Sequence, residues 1–212
     1  AAFERKFFAS KNVIVQYNPV DKEDILRKKK ESIDISRPKG LLLGTIGRLE
    51  RSKGFLRLLE CVSKLKGEGY SFYLWIIGEG TQRHELEKYI EIHQLSHMIH
   101  LLGFQTNPFK YINQCDAFIC SSYAEGFSTA ATESLLLGKP IFTVDCAGMR
   151  ELFGEYVCGM IVENSNADLL AMLRKIVSEK VDLNYYSCEA KQRANAFDIK
   201  QRIKDIEDLF EE

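Results

Sequence analysis

Two loops of this 212-residue sequence carry the side chains best placed to do chemistry. The first, Gly47-Arg48-Leu49-Glu50-Arg51-Ser52-Lys53-Gly54, sets Arg48 and Lys53 between two glycines at the entry to an expected helix. Glycines let backbone approach a ligand closely, and a helix N-terminus favours anions. An Arg fork with a Lys point charge suits a diphosphate. The spacing is neither GxxxxGK[ST] nor GxGxxG, and a charged surface turn would have the same composition. The second loop, Ser121-Ser122-Tyr123-Ala124-Glu125-Gly126-Phe127-Ser128, runs into a helix that carries Glu133. At 1.5 Å per helical residue the two carboxylates stand roughly 10 Å apart. That is too far to share a proton or a metal, but suited to bonding two separate polyol groups. Gly126 frees successive N–H groups at the helix start to cradle a phosphate or sugar oxygen. The plainer alternative is an exposed loop charge followed by a solvated helix residue.

The elements that must position these loops alternate regularly. Leu41–Gly47 is a continuous apolar run, as expected of a strand covered on both faces. Phe55–Lys66 carries a helical apolar stripe. Strands are then expected at 73–77, 99–102, 117–120, 140–144 and 160–162. Helices are expected at 84–93, 109–113, 128–137, 149–153, 167–178, 184–197 and 199–210. Ahead of them lie a helix over 2–8, a strand over 13–17 closed by Asn18-Pro19, and a charged connection over 21–40. Strands alternating with helices imply parallel βαβ units, hence an α/β fold with a Rossmann-like, doubly wound parallel sheet. Ligands of such sheets lie beyond the carboxyl ends of the strands. The loops to interrogate are therefore 47–54, 78–80, 103–108, 121–128 and 145–149.

Composition narrows the function. Twenty-nine basic against thirty acidic residues leave a net charge of −1, which excludes an overall basic field for nucleic acid. No apolar run approaches the roughly 18 residues of a membrane span. The six cysteines are scattered without a CxxC pair and read as small buried hydrophobes of a reducing, cytoplasmic compartment. His93 and His97 have an i, i+4 spacing, but Leu95-Ser96 reads as a helix end and no further ligand lies near, so no metal site is expected. The sequence opens at Ala1 within three phenylalanines that a domain start seldom exposes, which fits either processing or a part of a longer protein, the second being preferred.

Glu125-Gly126-Phe127-Ser128-Thr129-Ala130-Ala131-Thr132-Glu133, followed by Leu136-Leu137-Gly138-Lys139-Pro140-Ile141, resembles the E-x7-E signature of retaining GT-B glycosyltransferases of the family-four type. Gly47-Arg48-Leu49 with Lys53-Gly54 resembles that family's phosphate loop, and Ile77-Gly78-Glu79-Gly80 its following G-x-G turn. Leu102-Gly103-Phe104, Asp145-Cys146-Ala147-Gly148 with Glu151-Leu152, and the crossover-like Asn18-Pro19-Val20-Asp21 extend the likeness over nearly the whole chain. Ser128 and Ala147-Gly148-Met149-Arg150-Glu151 depart from the usual pattern, which bears on the identity of the sugar.

The resemblance implies a two-domain enzyme of which this chain is the donor-binding C-terminal half. Residues 1–40 would be the crossover from an N-terminal domain, 41–182 the nucleotide-sugar-binding domain and 183–212 the closing helices. It implies that Arg48 and Lys53 bind the donor diphosphate and stabilise the leaving group without a metal or other cofactor. Glu125 would bond the transferred sugar, with the amides of Gly126, Phe127 and Ser128 beside it. Glu133 would bond the ribose, Gly47 would belong to the phosphate loop, and Gly78, Gly80 and Phe104 would bracket the base. The expected partners are a nucleoside diphosphate sugar and a glycan or lipid-linked acceptor held by the N-terminal domain, at the inner membrane face. Arg27-Lys28-Lys29-Lys30 would offer a peripheral contact to anionic lipid. Two other readings remain: a sugar-nucleotide epimerase of similar build, and a non-catalytic nucleotide-binding module.

Overall fold

The computed structural model describes residues 20–197. The expected helix over 2–8, the strand over 13–17 with its Asn18-Pro19 turn, and the helix over 199–210 lie outside them. Six strands, β1 (Leu42–Ile46), β2 (Tyr73–Ile77), β3 (Ile99–Gly103), β4 (Ala117–Cys120), β5 (Ile141–Val144) and β6 (Gly159–Val162), form one parallel sheet in the order β3-β2-β1-β4-β5-β6. The helices are α1 (Lys22–Lys28), α2 (Phe55–Gly67), α3 (Arg83–Ile92), α4 (Phe109–Ile112), α5 (Thr129–Leu136), α6 (Met149–Phe153), α7 (Asn166–Val177) and α8 (Leu183–Arg193). Short 3-10 turns occupy Arg51–Lys53 and Ala194–Phe197.

The central strands are buried on both faces and therefore mostly apolar, and period-2 alternation divides their side chains between two cores. Leu43, Leu74, Ile76, Ile119, Phe142 and Val144 join the buried faces of α2, α3 and α7. Leu42, Trp75, Ile77, Phe118 and Ile141 join α1, α4, α5, α6 and α8. Gly44 lets α4 approach β1, since a Cβ there would stand 2.6 Å from Cys115 Sγ and 2.8 Å from Ile112 Cδ1.

Element limits differ from expectation at the caps. α3 begins at Arg83 with Gln82 as N-cap, α5 begins after Ser128, and α8 gives way to a 3-10 turn at Ala194. Ser128 accepts from the Ala131 amide and so closes the helix as an N-cap. His93 is the C-cap of α3, so His93 and His97 do not share a helix face. In the charged connection, Asp21 caps α1, Ile25 is buried, and Arg27 and Lys28 both pair with Asp24.

The strand order reverses between β1 and β4. A crevice opens at the carboxyl edge between the loops after β1, β2 and β3, and beside it meet the loops that follow β1 and β4. Those are the two loops with the chemistry.

Candidate functional site

Loops 47–54 and 121–128 are joined main chain to main chain. The Tyr123 amide donates to Ser52 O at 2.8 Å, and Ser121 Oγ to Lys53 O at 3.1 Å. Gly54, at φ +66°, ends the 3-10 turn and starts α2, and a Cβ on it would come within 2.0 Å of Ser121 O. The β2–α3 loop packs as closely. A Cβ on Gly78 (φ +142°) would stand 1.9 Å from Gly47 O, and one on Gly80 2.5 Å from Leu49 O. Gly80 is thus a packing glycine and does not line the crevice, whereas Gly47 and Gly78 do. A Cβ on Gly126 would meet nothing, so the fold itself does not demand glycine there.

Lys53 and Glu125 meet directly. Lys53 Nζ donates to both carboxylate oxygens at 2.7 and 2.8 Å, and Ser122 Oγ donates to Glu125 Oε1 at 2.6 Å. Lys53, expected at a diphosphate, is thus ion-paired with Glu125 in this structure. Arg48 is exposed, and its side chain makes no hydrogen bond or ion pair among the described residues. The α5 cap leaves the first-turn amides of Thr129 and Ala130 without intrahelical acceptors beside this pair.

Glu133 sits apart. It is half-buried on α5 and lines a cleft of about 460 Å³ with Asp21, Asp24, Lys28, Phe104 and Phe109. No hydrogen bond or ion pair supports it among the described residues, and burial alone pushes its carboxyl up to about 7. The rise-per-residue argument for the Glu125–Glu133 spacing holds only from Thr129 onward, because the first half of that interval is loop. The two carboxylates do occupy separate surroundings, one ion-paired and one desolvated.

Phe104 is 71% exposed and borders both the Glu133 cleft and a second, largely apolar cleft of about 290 Å³. Ile46, Gly47, Arg48, Ile77, Gly78, Glu79, Gln105 and Pro108 complete that second cleft. Ile46 also borders the small recess, lined by Lys53, Glu125 and Ser128, that adjoins it. A largely apolar cleft with Arg48 at its side thus adjoins an ion-paired polar end and a half-buried carboxyl. Sequence reasoning passed over Gln105, Pro108 and Ser122, and above all Arg57. Arg57 precedes the buried Cys61 and Leu65 by four and eight positions, and that placement on a buried stripe was the available signal. Among the described residues no group of three His, Cys, Asp or Glu is arranged to hold a metal ion. Five cysteines are buried and Cys188 is exposed.

Residues 27–193 match the family model described as Glycosyl transferases group 1. An N-acetylgalactosamine-N,N'-diacetylbacillosaminyl-diphospho-undecaprenol 4-alpha-N-acetylgalactosaminyltransferase of Campylobacter jejuni is 35% identical over 193 residues, covering 90% of this chain and 51% of that protein. The O-antigen biosynthesis glycosyltransferase WclY of Escherichia coli is 27% identical over 172 residues, 79% of this chain and 47% of its own. Among solved structures, Anabaena Alr3699/HepE in complex with UDP matches with a TM-score of 0.71 at 19% identity, over 81% of this chain and 49% of that one. The lipopolysaccharide outer core galactosyltransferase WaaB matches at 0.76 and 20% identity, over 97% and 57%. The chain spans about half the length of the curated relatives it matches.

Proposed function

Because this chain belongs to the group 1 glycosyl transferases and has the Rossmann-like fold of a GT-B half, we propose that it is the donor-binding half of a retaining sugar transferase. The enzyme would use a nucleoside diphosphate sugar and act in glycan biosynthesis, the field of the glycosyltransferases it resembles. The observation that carries this reading is the adjacency of three unlike surfaces at one sheet edge: the largely apolar cleft bordered by Phe104, the desolvated Glu133, and the Lys53–Glu125 pair. A base fits that cleft, a ribose diol suits Glu133, and a diphosphate suits Arg48, Lys53 and the amides that open α5.

Cleavage of the sugar–phosphate bond develops negative charge on the departing diphosphate, and prepositioned cations and amides stabilise it. In this reading Lys53 exchanges Glu125 for phosphate oxygen as the donor enters. Glu125 is thereby released to accept from sugar hydroxyls, with the Gly126, Phe127 and Ser128 backbone beside it. No metal is assigned a part. Residues 1–40 would lead from an acceptor-binding domain and 183–212 would close the fold. The acceptor, a glycan or lipid-linked sugar, would be met at the cytoplasmic membrane face. No described helix is long and apolar enough to cross a membrane.

Calorimetry with UDP and UDP-N-acetylgalactosamine tests the assignment. These probes are chosen because a structural neighbour holds UDP and a relative is by name an N-acetylgalactosaminyltransferase. Glu133→Gln should weaken both ligands, whereas Glu125→Gln, which frees Lys53, should leave UDP at least as tightly bound and weaken only the sugar nucleotide. Equal effects of the two changes on UDP would refute the division of roles.

A further inference from the structure

We infer that Arg57 is a positioning residue for the sugar-binding loop: its guanidinium holds Ser121–Tyr123 in the conformation that sets Glu125 against Lys53. This inference rests on the reading of 121–128 as the loop that contacts the transferred sugar. Arg57 lies in the first turn of α2 and is only 2% exposed. Nε donates to Ser121 O at 2.7 Å, Nη2 to Ser122 O at 2.8 Å and Nη1 to Asn164 Oδ1 at 2.9 Å. The guanidinium also lies over the Tyr123 ring, 3.9 Å from its centroid. Asn164 in turn donates to Tyr123 O at 3.1 Å.

Every acceptor is a main-chain carbonyl or an amide oxygen, and none is a carboxylate. Burying a cation without a counter-ion is costly, and apolar packing would join α2 to β4 at less cost. A guanidinium supplies what an apolar side chain cannot: one rigid fork that captures two consecutive carbonyls. Ser122 is the link to the chemistry, since its carbonyl is held by Arg57 and its hydroxyl donates to Glu125. Gly54 makes the arrangement tight, as a Cβ there would also come within 2.8 Å of Arg57 Nε. The order of contact is Arg57, Ser122, Glu125, Lys53.

The test is the ratio of affinities for UDP-N-acetylgalactosamine and UDP, measured by calorimetry on the wild type, Arg57→Ala, Arg57→Lys and Asn164→Ala, with thermal unfolding beside it. Arg57→Ala should lower that ratio about tenfold or more, as expected for lost charge-assisted bonds, and UDP binding should change far less. Methylguanidinium should restore the ratio in Arg57→Ala by refilling the fork's place. Arg57→Lys keeps the charge without the fork and should stay impaired. Asn164→Ala should show a smaller fall in the same direction, and it carries the test should Arg57→Ala not fold. Lower melting temperatures with an unchanged ratio in Arg57→Lys and Asn164→Ala would overturn the inference and leave a structural tie. A wild type that binds neither probe would instead overturn the proposed function, and this inference with it.

Discussion

Glu133 should set the pH dependence of folding in a way that one substitution exposes. Its carboxyl is half-buried with no partner among the described residues, and burial raises it from 4.5 to about 7. A carboxyl held protonated by the fold contributes stability that is fully present below about 4.5 and is lost as pH rises through about 7. Converted at 1.36 kcal/mol per pH unit, the cost of ionising it in the folded chain is on the order of 3 kcal/mol. Glu133→Gln keeps the shape and removes the titration. Urea unfolding at closely spaced pH values from 5 to 8.5 should place the two proteins within about 1 kcal/mol of each other near pH 5, with the variant about 3 kcal/mol the more stable above pH 7.5. Parallel curves across that range would refute the reasoning, because they would mean that the carboxylate is solvated or paired at neutral pH. The same change should weaken nucleotide binding, so that stability gained and affinity lost in one variant would mark a group kept at the fold's expense.

The two loop cations should separate by their surroundings. Arg48→Ala should leave the melting temperature unchanged, whereas Lys53→Ala strands a Glu125 side chain that is only 10% exposed and should cost about 1–3 kcal/mol in urea unfolding. Together the two changes should weaken UDP by several kcal/mol, at about 1.5–3 per charge-assisted contact, and an unchanged calorimetric affinity would remove both from the phosphate site. Gly78→Ala should destabilise by at least about 2 kcal/mol, since the new Cβ would collide with Gly47 O and the φ of +142° is strained for any L side chain; a melting temperature within a degree of wild type would contradict the loop contact. Ellman titration of the native protein should modify Cys188 rapidly and the five buried thiols only as it unfolds, and more than one fast equivalent among these six would show that the packing is looser than described.

The sheet was readable because its strands are covered on both faces. Leu42–Ile46 and Tyr73–Ile77 are then apolar at nearly every step, and such runs stand out against charged helices. The helix caps were less legible: Gln82 precedes α3 with no side-chain cap bond, so nothing in residue type marks that boundary. At the site, residue types pointed to two loops that the fold brings together, but what joins them is non-local. Lys53 and Glu125 are separated by 72 positions, and Arg57 and its two carbonyl acceptors by 64 and 65. Main-chain carbonyls carry no residue-type signal, so a cation whose acceptors are Ser121 O and Ser122 O cannot be recognised from its own neighbourhood. The glycines were visible as glycines. That Gly80 faces Leu49 rather than the crevice became evident only once the loops were folded against each other.

Gly47 against Gly78, and Gly54 against Ser121, are crossings of bare main chain, and this decides how such a site can be remodelled. The Tyr123–Ser52 bond likewise uses only an amide and a carbonyl. Side chains at Arg48, Arg51, Ser52 and Ala124 lie off these crossings, so replacing them should alter the surface in and around the crevice without moving the loops. The scaffold and the vocabulary of recognition are thereby uncoupled. A variant library that randomises those four positions and holds the glycines, Arg57 and Asn164 fixed should retain folded members at high frequency. Freeing Gly54 or Gly78 should collapse that frequency, making backbone clearance rather than side-chain chemistry the limit on how far these loops can diverge.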